Sequence, residues 1–385
     1  MVKITKKRNF LSIAFLFLGI AVLPAVDYYE TPMEPINPRF SAMGGSHAAV
    51  HDGFSALFQN SAGYLLTDQE LSFAQFTLGL KGPVFTIADT FVAGAELDDI
   101  SELLDGLYTG IDIAGPLAFG YVGKGMGLGI FANTFTEIKS NNPLTAKENI
   151  MQDILLTGGY SFPIVGGGEN HEPHRLDGGV MLKGGFRGRI QGGVSAVELQ
   201  NPSLDLITGR PFYFTSLIGM DLGLLYNYEK KWYVGMTAKD AFTPTLRSKY
   251  TDISSFIDGE PAVGDEFGLV PFTLNLGGMY RLDLSHRNMF ISEAKFMLDY
   301  TDILDFWLYP KLATNPVLHV GIGTEVTMMQ ILDVRLGFAQ GLPSAGLGLD
   351  LHVFTLNAAM FGTERSTEPG LSPVYNLQLG FEFTR

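Results

Sequence analysis

The chain ends on a segment with two unlike faces. Tyr375, Leu377, Leu379, Phe381 and Phe383 alternate with Asn376, Gln378, Gly380 and Glu382. Successive side chains of a strand point to opposite sides of the sheet, so this segment has one apolar face and one polar face. The same two-residue period runs through 218–228, 272–284, 318–326 and 332–338. One such strand would suit a soluble sandwich. So many of them, in a chain that opens like an exported one, predict an all-β transmembrane antiparallel barrel with lipid against the apolar face.

Lys3, Lys6, Lys7 and Arg8 precede an uncharged apolar run over 10–23, and Leu23-Pro24-Ala25 closes it on a small residue. This is the layout of a cleaved secretory signal over 1–25. The run is too short to cross ~30 Å of hydrocarbon as a helix. No later stretch of eighteen apolar residues exists, although 46% of the chain is hydrophobic, which argues against helical spans. The net charge of −14 and the lack of a basic stripe argue against nucleic acid as a partner. There is no cysteine, hence no disulfide, so stability must rest on the sheet. Glycine, 46 of 385 residues, exceeds its ~7% average, as expected where turns and tight packing inside a barrel recur.

The connections set the strand number. Short links fall near 123–125, 229–231, 285–288, 328–330 and 353; longer ones fall near 138–150, 189–213, 239–270, 301–316 and 363–373. One rim of an outer-membrane barrel carries tight turns and the other extended loops. A raw tally gives fifteen strands. Taking 70–93 as one crossing plus a loop gives fourteen, with both ends at one rim. The links at 163–175 and 341–344 strain this alternation. Tyr226, Tyr228, Trp232 and Tyr233 flank one tight turn, as an interfacial aromatic belt would. Leu97, Ile100, Leu104 and Leu107 share one face of an expected amphipathic loop helix, and 194–206 is a weaker case.

Residues 39–65 do not read as a barrel strand. Met43-Gly44-Gly45 is followed by alanines and Asp52, then by Asn60-Ser61-Ala62-Gly63-Tyr64, with small residues throughout. This segment resembles the N-terminal hatch of the FadL-type outer-membrane transporters of long-chain fatty acids, and equally that of their PorV-like relatives. The match covers about 27 residues; the later barrel agrees only in pattern. Ser61 stands where the family has proline. The resemblance implies a hatch over 26–68 with Gly44, Gly45, Asn60, Ser61, Ala62 and Gly63 as its motif, inside a fourteen-stranded barrel over 69–385. It further implies passive entry of a hydrophobic compound from an outer groove to a pocket, with lateral exit through a wall gap. Gly115-Pro116 or Gly127 and Gly129 are candidates for the strand kink at that gap. No motif locates the substrate-binding residues.

Other candidates favour structural roles. His47 and His51, with Asp52, have a spacing that suits a metal on a helix, but they lie within the hatch motif; His171 and His174 sit in a Gly-rich loop. No metal or cofactor is expected. Asp221, Arg281, Asp283, Asp333, Arg335 and Glu382 fall on polar faces and are expected to pair inside the lumen. No catalytic constellation is found, so an enzyme is not expected. The function expected is outer-membrane uptake of hydrophobic compounds, with long-chain fatty acid and membrane lipid as partners. The alternative is a PorV-like scaffold or surface adhesin with a protein partner at the outer loops, where Asp252, Asp258, Glu260, Asp265 and Glu266 line the long loop at 239–270.

Overall fold

The computed structural model describes residues 26–84, 106–142, 144–166, 173–195, 208–286 and 290–385. The expected signal, most of the 97–107 helix, the 194–206 helix except its first two residues, and His171 lie outside the described residues.

A two-residue strand β1 (Tyr28–Tyr29) belongs to the N-terminal segment. The wall is β2 (Glu70–Lys81), β3 (Tyr108–Gly123), β4 (Met126–Asn142), β5 (Thr145–Val165), β6 (His174–Ser195), β7 (Phe212–Tyr228), β8 (Trp232–Phe242), β9 (Pro244–Tyr250), β10 (Gly264–Leu269), β11 (Thr273–Asp283), β12 (Ile291–Tyr300), β13 (Val320–Met328), β14 (Leu332–Ala339), β15 (Leu342–Asp350), β16 (Phe354–Glu364) and β17 (Pro373–Thr384). β8 and β9 form one bent crossing, because β7 pairs with both. β10 and β11 form the next, pairing with β9 and β8 in turn. Fourteen crossings result. β17 pairs antiparallel with β2, so the sheet closes on itself.

Glu70–Lys81 is a single crossing, as the strand count required. The outer link expected at 138–150 is instead a continuation of β4 and β5 into one long hairpin, paired as far as Asn142↔Thr145. Lys139, Thr145 and Lys147 are exposed there while Ser140 and Ala146 between them are buried, so the buried face is built from small residues and shows no apolar alternation.

Leu182, Ile218, Leu298, Leu336 and Met360 point outward and are more than half exposed, as lipid contact requires. Trp232 also faces out, stacked at 4.4 Å on Tyr280 beside a turn. Tyr233 departs from the expected belt: it points inward, 3% exposed, with its ring 4.5 Å from His51. Adjacent strand residues cannot share a face.

Candidate functional site

The N-terminal segment fills the lumen. A short helix (Pro38–Ala42) starts at Asn37, whose side chain accepts from the Arg39 N–H at 3.0 Å. Gly44 and Gly45 then turn the chain at φ +89° and +100°, a region open mainly to glycine. A Cβ on Gly44 would lie 2.6 Å from the Ile322 carbonyl oxygen, so position 44 also touches the wall. Asn60 ties the segment together. Its amide donates to the Ala48 carbonyl at 2.7 Å and to the Leu224 carbonyl of β7 at 3.0 Å; its oxygen accepts from the Ala62 N–H at 3.0 Å. Ser61 opens the 3₁₀ turn Ser61–Leu65, the position where proline is well tolerated. Ala62 is fully buried, and Gly63 has no room for a Cβ, which would fall 2.8 Å from the His51 Cβ.

The wall is carved to fit. A Cβ added to Gly235 would lie 1.9 Å from the Ala48 oxygen, and one on Gly179 or Gly337 would lie 2.3 Å from hatch backbone. Gly127 belongs to the same set, facing Leu57 at 2.5 Å, while a Cβ on Gly129 would meet the wall's own Phe131 at 2.4 Å. These two were candidates for a wall kink; instead, both give inward space to side chains. Gly115, at φ +87°, does mark an irregularity, since the β2/β3 and β3/β4 registers both shift there. A Cβ on it would lie 1.9 Å from the Gln75 oxygen, so the backbones are in contact at the bulge.

Charge fastens the hatch to the wall. Arg39 reaches Asp52 at 2.8 Å and Glu325 of β13 at 2.7 Å. Lys295 of β12 reaches Asp52 at 2.7 Å and Glu325 at 3.1 Å, and Arg335 meets Glu325 at 2.7 Å and Asp333 at 2.6 Å. A second group joins Glu30 to Arg187 at 2.8 Å and to Arg189 at 2.6 Å, with Arg187 also on Asp153. Burial alone would raise the Asp52 carboxyl, but Arg39 and Lys295 outweigh it and hold it well below the usual carboxylate range. Burial pushes the His51 imidazole below its ordinary value.

Of the charges expected in the lumen, Asp221 pairs with Lys183 at 2.8 Å, Asp333 with Arg335, and Arg281 with Glu293. Asp283 departs from this. It sits at a turn and accepts from its own neighbour, the Ser285 hydroxyl, at 2.6 Å. Glu382 Oε1 has no hydrogen-bond partner among the described residues. His47 is held by Asp299 at 2.7 Å and by the Met43 carbonyl at 2.9 Å. Among the described residues, no three His, Cys, Asp or Glu side chains gather as a metal site.

The outer loop expected to carry a partner surface uses three of its five acids internally, while Asp258 and Glu260 are exposed. Asp252 caps the helix Ile253–Ile257, Asp265 accepts from Ser248 at 2.6 Å, and Glu266 pairs with Arg247.

Sequence reasoning missed a seam in the wall. β11 pairs with β12 only from Leu276↔Tyr300 toward the turn rim. Beyond that level β10 has β9 on one side and, on the other, the parallel strap β1, with Tyr28↔Gly268 and Tyr29↔Leu269. The Asp27 N–H donates to the Phe267 carbonyl at 2.9 Å and the Glu30 N–H to the Leu269 carbonyl at 3.0 Å. The segment after β12 covers the remainder. The Ile303 N–H donates to the Leu274 carbonyl at 2.8 Å, the Phe272 N–H to the Tyr309 hydroxyl at 2.9 Å, and the Tyr309 ring meets Tyr29 edge-on at 5.5 Å. The wall here is a two-residue strap and a loop, not a barrel ladder.

The fold and lumen thus define a hatch-sealed, membrane-spanning β-barrel of fourteen strands. No protein-family model matches the chain, and no curated protein matches it. Solved structures of similar shape include the CymD monoaromatic hydrocarbon channel, 10% identical with a TM-score of 0.47 over 92% of this chain and 98% of that one. The Pseudomonas putida toluene transporter TodX is 14% identical, with a TM-score of 0.39 over 93% of this chain and 99% of its own. The β domain of the Bordetella autotransporter BrkA is 11% identical, with a TM-score of 0.32 over 82% and 99%. The closed ladder, rather than these likenesses, defines the fold.

Proposed function

We propose that this barrel resides in the outer membrane and passes hydrophobic compounds, long-chain fatty acids among them, without a chemical step. The seam at β10 carries the reading. A lumen packed with hatch backbone is not an open aqueous pore, and a wall interrupted beside a short strap offers an apolar molecule a sideways route. The cavity beside Phe54, Phe58 and Phe131 has only about 30 Å³, and the larger one of about 280 Å³ is lined by charged groups such as Arg39, Glu325 and Arg335, so an acyl chain passes only if the hatch or strap shifts. Burial of each CH₂ supplies about 0.8 kcal/mol, so a long chain gains enough to occupy such a route without energy input. Displacement of β1 would carry off the half-exposed Tyr29 ring and uncover the buried Tyr309 ring, a surface suited to an apolar guest.

Calorimetric titration of the reconstituted barrel with a long-chain and a short-chain fatty acid tests this. Saturable binding at roughly micromolar concentration, confined to the long chain, is expected. A folded barrel that binds neither would contradict it. Trp232 on the wall and Trp307 in the loop after β12 are both more than half exposed, so their fluorescence would not report the lumen.

A further inference from the structure

Away from the seam, a cavity of about 400 Å³ opens at the loop rim between β2, β3, β4, β16 and β17. Lys81, Tyr108, Asp112, Glu137, Arg365 and Gln378 line it. Lys81 lies 2.8 Å from Asp112 and 3.3 Å from Glu137, and the Tyr108 hydroxyl donates to Glu137 at 2.9 Å. The Arg365 guanidinium covers the Tyr108 ring, 3.2 Å from its centre. Two cations and two carboxylates balance. Glu364 also lines the cavity and keeps its charge, its carboxylate held by the Ser366, Gly370 and Ser372 N–H groups at 3.0, 2.7 and 2.8 Å, so the lining carries one net negative charge. An anion is therefore disfavoured, and Lys81 is already engaged by both Asp112 and Glu137.

Deeper in, Asp112 and Gln378 are 3% and 7% exposed, and Asp112 Oδ1 and Gln378 Oε1 have no hydrogen-bond partner among the described residues. A buried acceptor without a partner is unfavourable, so a ligand that donates to both binds more tightly for it. A hydroxyl does so without charge, and it also accepts from Lys81 and Arg365. The Phe361 ring and Val374 give the cavity an apolar side for C–H groups.

We infer that this cavity binds an uncharged polyhydroxyl group of the sugar type, supplied either by a free glycoside or by the head of a glycolipid. The site is independent of the seam and of whatever passes it. Its chemistry is that of many neutral hydroxyls meeting Lys81 and Arg365 as donors, buried acceptors and an aromatic ring.

The test is calorimetry on the full barrel in phosphatidylcholine nanodiscs, titrated separately with methyl β-glucoside, octyl β-glucoside below its micelle concentration, and octanoate. Saturable glucoside binding is expected, with octanoate weaker by about tenfold or more. Binding of both glucosides assigns the site to free sugars, and binding of the octyl compound alone assigns it to glycolipid. Gln378→Leu and Asp112→Asn should each weaken glucoside binding by roughly fivefold or more while keeping the heat-modifiable gel migration of a folded barrel. The two are read separately, so one that does not fold leaves the other decisive. Absence of saturable glucoside binding, equal or tighter octanoate binding, or wild-type affinity in the folded variants overturns the inference. Fatty-acid binding without glucoside binding would do so while leaving the hydrophobic-uptake reading standing.

Discussion

Asn60 shows how much one side chain does inside this lumen. It caps the Ser61–Leu65 turn, bonds a neighbouring hatch carbonyl and reaches across to β7. Asn60→Ala removes all three bonds and leaves the buried Ala48 carbonyl without that donor. A loss of about 1–3 kcal/mol is expected, read as a lower urea midpoint and faster proteolysis of the hatch. A variant that unfolds and is cleaved like wild type would contradict the assignment. Asn60 and Ser61 were marked in the sequence only by the resemblance of 39–65 to a hatch motif, and no local pattern gave these bonds. The roles of the wall glycines were not legible. A missing Cβ looks the same in sequence whether it relieves the chain's own backbone, as at Gly115, or makes room for another segment, as at Gly127 and Gly235.

Among the elements, the hatch and the wall meet through ionisable groups, so their grip depends on pH. The His51 imidazole is held below its ordinary value by burial, and the neutral form is the one that packs on Tyr233. A group with a depressed folded value stabilises above its unfolded value, about 6.5 for histidine, and that contribution is lost as pH falls through the folded value. Asp52 is depressed as well, but its unfolded value is about 3.9, so the Arg39 and Lys295 bonds hold until the medium is strongly acidic. Hatch protection against protease should therefore fall in two stages on acidification, the first below about pH 6.5 and the second below about pH 4. His51→Gln should abolish the first stage alone. One stage in wild type, or an unchanged first stage in the variant, would refute this. The pairing of Asp221, Arg281, Asp333 and Arg335 was foreseeable from their polar-face positions, but that of Asp283 and Glu382 was not met and the partners were not legible. Arg39 and Glu325 lie far apart in the chain, and no local pattern joins them.

For the molecule as a whole, strand number and closure were readable because the two-residue period survives wherever one side is lipid. That signal fades in the 138–150 hairpin, where the buried face carries Ser140 and Ala146 rather than large apolar residues, and it is silent about the seam. β10 and β11 look like any other crossing; what differs is that β12 stops pairing with them at Tyr300 and that Tyr28 and Tyr29 take the vacant edge. Such a substitution depends on three separate stretches of chain. The central claim is that this strap closes the route for hydrophobic cargo, and the absence of native cysteine makes it directly testable. Tyr29→Cys and Leu269→Cys occupy paired positions on adjacent strands, where a disulfide would hold the strap in place. Long-chain fatty acid uptake by cells carrying this double variant should be blocked when oxidised and restored by reductant. Uptake that is the same in both states would show that the cargo does not pass at β10.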